Sequence, residues 1–389
     1  MKILIVHNAY QLAGGEDSVV KNEIALLQQH GHDVELHLVS NNEVRGIAGK
    51  INAALGVIFS PTSYFRIRKI LRKTHPDIVH VHNFFPLISP AVFYACKANR
   101  TPVVLTLHNY RLICPTALLM HDGKVTEKSL EEGPWWTIPK KVYRGSYIGT
   151  FMLALMIAIH KRLGTWNRTV SRFILLSQFS ISKFIKAGID PYLLTVKPNF
   201  VDIKKPPEQE RTGFLFVGRL SEEKGIGVLL SALEKRHSTI SQSKIQVAIA
   251  GDGPLSPRIT QSEHLVKYLG NLKSNDVRAW MYASNALILP SVWYEGFPMV
   301  VVEAYACGLP IIASRIGALA ELVEDGVTGL LFNPGDAVDL AAKLQWAIQH
   351  PEKIKEMGKR ARQRYEQRYT SNKNYEELLS IYNAAIANR

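Results

Sequence analysis

Short apolar runs that alternate with helical stretches, in two successive series, constrain this chain more than any other feature. Residues 2–7 (KILIVH) lead through Gly14-Gly15 into a stretch whose apolar positions, Val19, Val20, Ile24 and Leu27, suit one buried helix face. The same alternation returns at 33–39, 77–82, 102–107 and 172–176. Strands separated by crossover helices pair in parallel, which gives a doubly wound sheet with helices on both faces. A second series starts at 213–218 (GFLFVG) and continues through 245–250, 286–290, 310–313 and 329–332. The predicted class is therefore α/β, with two Rossmann-like domains.

Between the series, Lys197–Asp202 and the polar stretch Lys204–Thr212 carry prolines and few apolar residues, as a linker should. The 389 residues suffice for two cores. We place an N-terminal domain at 1–200, a C-terminal domain at 201–370 and a final helix at 371–389 that crosses back to the first domain.

Hydrophobic residues at 47% and charged residues at 21% are ordinary for a soluble globular chain. The three cysteines, Cys96, Cys114 and Cys307, form no CxxC pair, so neither a disulfide framework nor a zinc cluster is expected. Met1-Lys2 runs straight into a strand pattern without a signal-peptide core, which reads as cytoplasmic. The longest apolar run, Ile148–Ile159, has twelve residues, short of the roughly 20 that a spanning helix needs.

The net charge of +14 is carried almost wholly by the first 200 residues. Nucleic acid is not the expected partner, because no RNP-type aromatic motif, zinc-finger spacing or long basic arm is present. Tyr64–Lys73 interleaves cations with apolar residues, and Trp135-Trp136 precedes Lys140-Lys141 and the apolar run. Such stretches suit peripheral contact with an anionic membrane, or equally a solvated helix face.

Gly218-Arg219 and Lys224 place two cations where a strand gives way to a helix, a site that already attracts phosphate. Read alone, the pair fits solvated surface cations just as well. Glu295 and Glu303 bracket a Gly-Phe-Pro turn, the first in a loop after strand 286–290 and the second on a helix. Carboxylates there can accept from sugar and ribose hydroxyls, or serve only as turn and helix-start residues.

Taken together, Gly218-Arg219 with Lys224, Ala250–Pro254, Glu295 with Glu303, Glu303–Pro310 and Gly326–Gly329 resemble the nucleotide-sugar half of the GT4 family of retaining glycosyltransferases. The resemblance is strong over 213–335 and loose over the whole chain. It implies the GT-B architecture, two facing Rossmann-like domains with an interdomain cleft. By similarity the first domain binds acceptor and the second binds a nucleotide sugar. Arg219 and Lys224 would then hold the diphosphate, Glu303 the ribose and Glu295 the donor sugar. The backbone of Gly296, Phe297, Pro298, Met299 and Val300 would orient the sugar or phosphate, and the base would lie near Gly251 and Leu272. Gly14 and Gly15 match the family's loop before the first helix, and His108 its active-site histidine, although a strand-end histidine is often structural. Arg111 would neutralise an acceptor phosphate, or pair with a carboxylate.

The resemblance implies hexosyl transfer from a UDP-sugar, UDP-glucose first, to a hydroxyl of a saccharide or lipid-linked acceptor in polysaccharide biosynthesis. GDP-mannose-dependent transfer and a GT-B sugar-nucleotide epimerase are the alternatives. No metal or other cofactor is expected, since no Asp-x-Asp occurs in the sequence. A dinucleotide-dependent oxidoreductase is the rival class, but no GxGxxG follows a predicted strand.

Overall fold

The computed structural model describes residues 1–9, 15–40, 56–204, 209–237 and 246–387. The chain divides into two compact units. One comprises residues 1–121, 126–198 and 374–389; the other comprises 122–125 and 199–373.

The first unit is built on six parallel strands, β1 (Lys2–Ala9), β2 (Asp33–Ser40), β3 (Ile78–Asn83), β4 (Val103–Leu107), β5 (Arg172–Leu175) and β6 (Leu194–Val196), in the order β2-β1-β3-β4-β5-β6. Central strands of a parallel sheet are covered on both faces, which is why β3 and β4 are buried throughout. The final helix, Ser371–Ala387, places Leu378, Ile381, Tyr382 and Ala385 on Ile3, Ile5, Ile78, Val104 and Ile174. Their spacing forms a single helical stripe, so the C-terminal helix completes the core of this unit.

Two other helices of this unit matter for its surface. Helix Pro61–Thr74 starts at Ser60, whose hydroxyl accepts from Ser63 N–H, and buries only Ile67 and Leu71. Arg66, Lys69, Arg72 and Lys73 stay exposed, and Arg68 is half-buried against Tyr64. Helix Tyr147–Arg162 buries Leu153, Ala154, Met156 and Ile157 of the apolar run, while Ile148 and Phe151 remain exposed. No helix among the described residues is long and apolar enough to cross a membrane.

The second unit has strands β7 (Phe214–Val217), β8 (Val247–Ala250), β9 (Lys267–Gly270), β10 (Ala286–Leu289), β11 (Ile311–Ser314) and β12 (Gly329–Phe332), all parallel, in the order β9-β8-β7-β10-β11-β12. Strand order reverses between β7 and β10. At such a switch point the loops leaving the two strands diverge, one to each face, and open a crevice at the strands' carboxyl ends.

A small two-stranded ribbon, Met120–His121 with Lys124–Val125, and two strands of the main sheets have no counterpart in the sequence reading. β6 and β9 are short edge strands, paired on one side only, and neither carries a buried β-branched run. The segment read as a linker is also more firmly held than its prolines suggest. Phe200, Val201 and Ile203 are buried, and Tyr365 Oη donates to Val201 C=O at 3.0 Å. These buried apolar side chains and the Tyr365 hydrogen bond hold the strip to the second unit.

Candidate active site

In the second unit the loops after β7 and β10 are fastened to each other. Val292 N–H donates to Glu223 C=O at 3.0 Å. Gly225 adopts φ +73°, and a Cβ there would lie 1.8 Å from Pro290 O. Only glycine fits this approach. The result brings Lys224 and Glu295 together from 71 residues apart: Nζ donates to Oε1 at 2.8 Å and to Oε2 at 2.7 Å. Ser291 Oγ donates to Glu295 Oε1 at 2.6 Å, and Lys224 Nζ sits 5.5 Å from the Trp293 ring centre. Glu295 is buried and Lys224 half-buried, so the pair is shielded on one side and open on the other.

The remaining candidates of this unit cluster at the same strand ends. Gly218 and Arg219 follow β7 directly, with the Arg219 side chain exposed. Gly251 follows β8, and a Cβ on it would come within 1.9 Å of Gly218 O, so the two backbones touch. Leu272 lies in the loop after β9. Gly296, Phe297 and Pro298 lead into helix Met299–Ala306, whose N-cap, Pro298, makes no side-chain hydrogen bond. The first-turn amides, those of Met299 and Val300 among them, thus receive no hydrogen bond from the cap side chain, and amides at a helix start suit an anion. Glu303 lies one turn further along; burial raises its carboxyl above the usual range, and the Arg278 charge opposes that shift.

The first unit holds a second cluster, at the reversal between β1 and β3. His80 and His82 alternate on β3, and His108 follows β4. Glu23 projects from helix Gly15–Gln29 into their midst. Its Oε1 lies 3.0 Å from His80 Nδ1 and 3.1 Å from His82 Nε2, and its Oε2 accepts from Lys197 Nζ at 3.0 Å. His82 Nδ1 lies 3.2 Å from His108 Nε2. Burial alone would raise the Glu23 carboxyl, but Lys197 and the two imidazoles outweigh it and hold it well below the usual range. Burial brings His82 down to about 4, with His80 adding to the effect, and lowers His108 well below an ordinary histidine, with His82 contributing. Both rings are neutral at physiological pH.

Glu23, His80 and His82 bring ligand-type atoms within 4.8 Å of one another. Each of those atoms already has a hydrogen-bond partner, and Lys197 brings its own positive charge to the carboxylate, so the set fits a proton network better than a cation. His108 and Arg111 line one pocket with Glu16, Asn83 and Phe85. The Arg111 guanidinium packs 4.9 Å from the Phe85 ring centre and 5.5 Å from that of Tyr143. Gly15 opens helix Gly15–Gln29, and Gly14 lies outside the described residues.

Sequence reasoning missed Glu23, Lys197, Ser291 and Trp293. Glu23 had a signal, because it falls on the helix face defined by Val19, Val20, Leu26 and Leu27, where an unpaired carboxylate would be costly. Lys197 stands in an apparent linker, and nothing local marks it as buried.

Two family models match the chain, "Glycosyltransferase Family 4" over residues 13–205 and "Glycosyl transferases group 1" over 199–364. The chain belongs to glycosyltransferase family 4. Among curated relatives, glycogen synthase of Mycobacterium tuberculosis is 28% identical over 75% of this chain and 65% of its own length. The match thus spans just under two thirds of that relative. An uncharacterised glycosyltransferase of Methanocaldococcus jannaschii is 25% identical over 93% of both chains. Among solved structures, Anabaena HepE in complex with UDP superposes with a TM-score of 0.69 at 22% identity, covering 98% of this chain and 99% of that one; HepE is also solved with UDP-glucose. The two Rossmann-like units are those of the GT-B fold.

The buried histidines of this family 4 member make its stability acid-sensitive. In the unfolded chain His82 and His108 protonate near pH 6.5, whereas in the folded chain His82 stays neutral down to about pH 4. Between those values the unfolded state binds more protons, so stability falls as pH falls. For His82 the loss reaches about 3 kcal/mol by pH 4, and Glu23 adds to it below the ordinary carboxylate range. Thermal melts from pH 7.5 to 4.5 should show the midpoint dropping, less steeply in His82→Asn; a flat profile would contradict the buried neutral cluster.

Proposed function

We propose that this chain is a retaining, metal-independent hexosyltransferase that uses a UDP-sugar, UDP-glucose first. The observation that carries the reading is the Lys224–Glu295 pair at the β7/β10 reversal, beside the open N-terminus of helix Met299–Ala306. A diphosphate arriving there competes with Glu295 for the Lys224 ammonium. Arg219 supplies a second cation and the helix amides supply donors. Glu295, partly released, accepts from hydroxyls of the donor sugar, Glu303 from those of the ribose, and the base lies along Gly251 and Leu272. UDP is preferred over GDP because HepE is solved with UDP and UDP-glucose.

The acceptor, a saccharide or lipid-linked saccharide hydroxyl, enters the first-unit pocket, where His108 takes a substrate hydroxyl and Arg111 faces an acceptor phosphate. In the transfer step the acceptor oxygen bonds to the anomeric carbon as the bond to the diphosphate oxygen breaks on the same face. The acceptor proton passes to the leaving phosphate. Charge building on that phosphate is met by Arg219 and Lys224 in place of a metal ion. Running the reaction in excess EDTA should leave the rate unchanged, and NMR coupling constants should show the donor's anomeric configuration in the product. Activity lost in EDTA and restored by magnesium or manganese would reject the metal-free reading, and an inverted anomer would reject retention.

Peripheral membrane contact belongs to the same proposal. Trp135, Tyr147, Ile148 and Phe151 are exposed together, with the Trp135 and Phe151 ring centres 6.5 Å apart. Lys140, Lys141 and Arg144 are exposed in the same stretch of chain, and Lys141 Nζ lies 4.4 Å from the Tyr147 ring centre. Aromatic side chains rimmed by cations match the headgroup region of an anionic bilayer. Cosedimentation with phosphatidylglycerol vesicles should rise with acidic lipid, fall with salt, and drop in the Ile148→Ser/Phe151→Ser variant. Sedimentation independent of lipid charge and of these residues would refute it.

A further inference from the structure

The hydrogen bonds of the first-unit cluster have a direction. Lys197 Nζ is a donor only, and it occupies Glu23 Oε2 at 3.0 Å while also donating to Asn374 Oδ1 at 3.1 Å. Glu23 Oε1 therefore faces the imidazoles, and an ionised carboxylate only accepts. His82 meets it with Nε2 at 3.1 Å, so the His82 proton sits on Nε2. A neutral imidazole carries one proton, which makes His82 Nδ1 an acceptor. The atom facing it at 3.2 Å is His108 Nε2, which must then be the donor. His108 is left with its lone pair on Nδ1, an atom with no protein hydrogen-bond partner among the described residues, on a side chain that lines the pocket with Arg111 and Asn83.

We propose that Glu23, acting through His82, fixes His108 as its Nε2–H tautomer and presents Nδ1 as an acceptor for a substrate hydroxyl. Glu23 and His82 are thus positioning residues, and Lys197 keeps the carboxylate charged and its Oε1 turned inward. The lowered proton affinity of both rings supports the assignment, since a second proton on either would turn an acceptor into a donor. The groups facing the relay are His80, whose Nδ1 shares Glu23 Oε1 at 3.0 Å and which is held by Tyr382 Oη and Thr106 Oγ1 at 2.7 Å each, and His7, whose Nε2 lies 2.8 Å from Asp17 Oδ1; Oε1 has lone pairs for both His80 and His82. Neither comes between Glu23 and His108. The need for a hydroxyl acceptor rests on the transferase reading; the tautomer itself does not.

The Glu23→Gln variant inverts the signs. Lys197 claims the amide oxygen, so the NH2 group faces His82, which must accept at Nε2 and carry its proton on Nδ1. His108 then accepts at Nε2 and becomes a donor at Nδ1. Nitrogen-15 NMR of the histidine-labelled full chain reads this directly, with the His108 signals identified by their loss in His108→Gln. In the wild type Nε2 should show the protonated shift and Nδ1 the lone-pair shift, and Glu23→Gln should exchange them. The wild-type measurement stands even if Glu23→Gln fails to fold. His82→Asn, which leaves the Glu23–Lys197 pair intact, should give tautomer-averaged His108 signals. It should also lower kcat about tenfold or more with UDP affinity unchanged. A wild-type His108 protonated on Nδ1, or a folded His82→Asn with unaltered His108 shifts, would overturn the relay. The expected shifts without any transfer by the wild type would leave the relay standing and reject the transferase reading instead.

Discussion

Lys224→Ala is expected to lower sugar transfer by roughly a hundredfold or more while the two units stay folded. The side chain is half-buried, and its ammonium meets both oxygens of Glu295 at 2.7 and 2.8 Å. Under the proposed function this ammonium and the amides at the start of helix Met299–Ala306, which begins four residues after Glu295, together stabilise the departing diphosphate. Removing it strands the buried Glu295 carboxylate on Ser291 alone, at a cost in stability of about 1–3 kcal/mol. Glu295→Gln keeps a group able to accept from Ser291 but lacks the charge, and should be similarly inactive with a smaller stability loss. A transfer assay beside near-ultraviolet circular dichroism separates the two effects. Wild-type turnover in either folded variant would remove the pair from the mechanism.

The second large effect is structural. Gly225→Ala forces a Cβ to within 1.8 Å of Pro290 O at a φ of +73°, and neither the turn nor the end of β10 can yield without the other. Gly326 has almost the same dihedral, +75°, but its Cβ would meet nothing within 4 Å. Gly326→Ala should therefore cost only about 1–2 kcal/mol of left-handed strain. Gly225→Ala should cost more than about 4 kcal/mol and loosen the loop that carries Lys224. Urea unfolding of the pair measures the difference; equal midpoints would mean that the β7 and β10 loops are not locked together.

Much of this architecture is legible in the sequence because central parallel strands must be apolar on both faces. Runs such as Ile3–Val6 and Leu287–Leu289 announce themselves, whereas the edge strands β6 and β9, paired on one side, do not. Lys224 and Glu295 could be named from motif and resemblance, but their meeting depends on strand order, which local pattern does not state. The Glu23 network was harder still. Its members stand at positions 23, 80, 82, 108 and 197, and each alone reads as a helix glutamate, a strand-end histidine or a linker lysine. Only the tertiary fold converges them: β3 and β4 lie side by side, helix Gly15–Gln29 brings in Glu23, and Lys197 follows the edge strand β6.

Calorimetric titration of the full chain with UDP, GDP and NAD reads whether the β7/β10 crevice holds a nucleoside diphosphate through Lys224. UDP should bind at one site, at least tenfold more weakly in Lys224→Ala, with weaker or absent binding of GDP and none of NAD. Binding of NAD without either diphosphate, or UDP affinity unchanged in a folded Lys224→Ala, would contradict this role for the crevice.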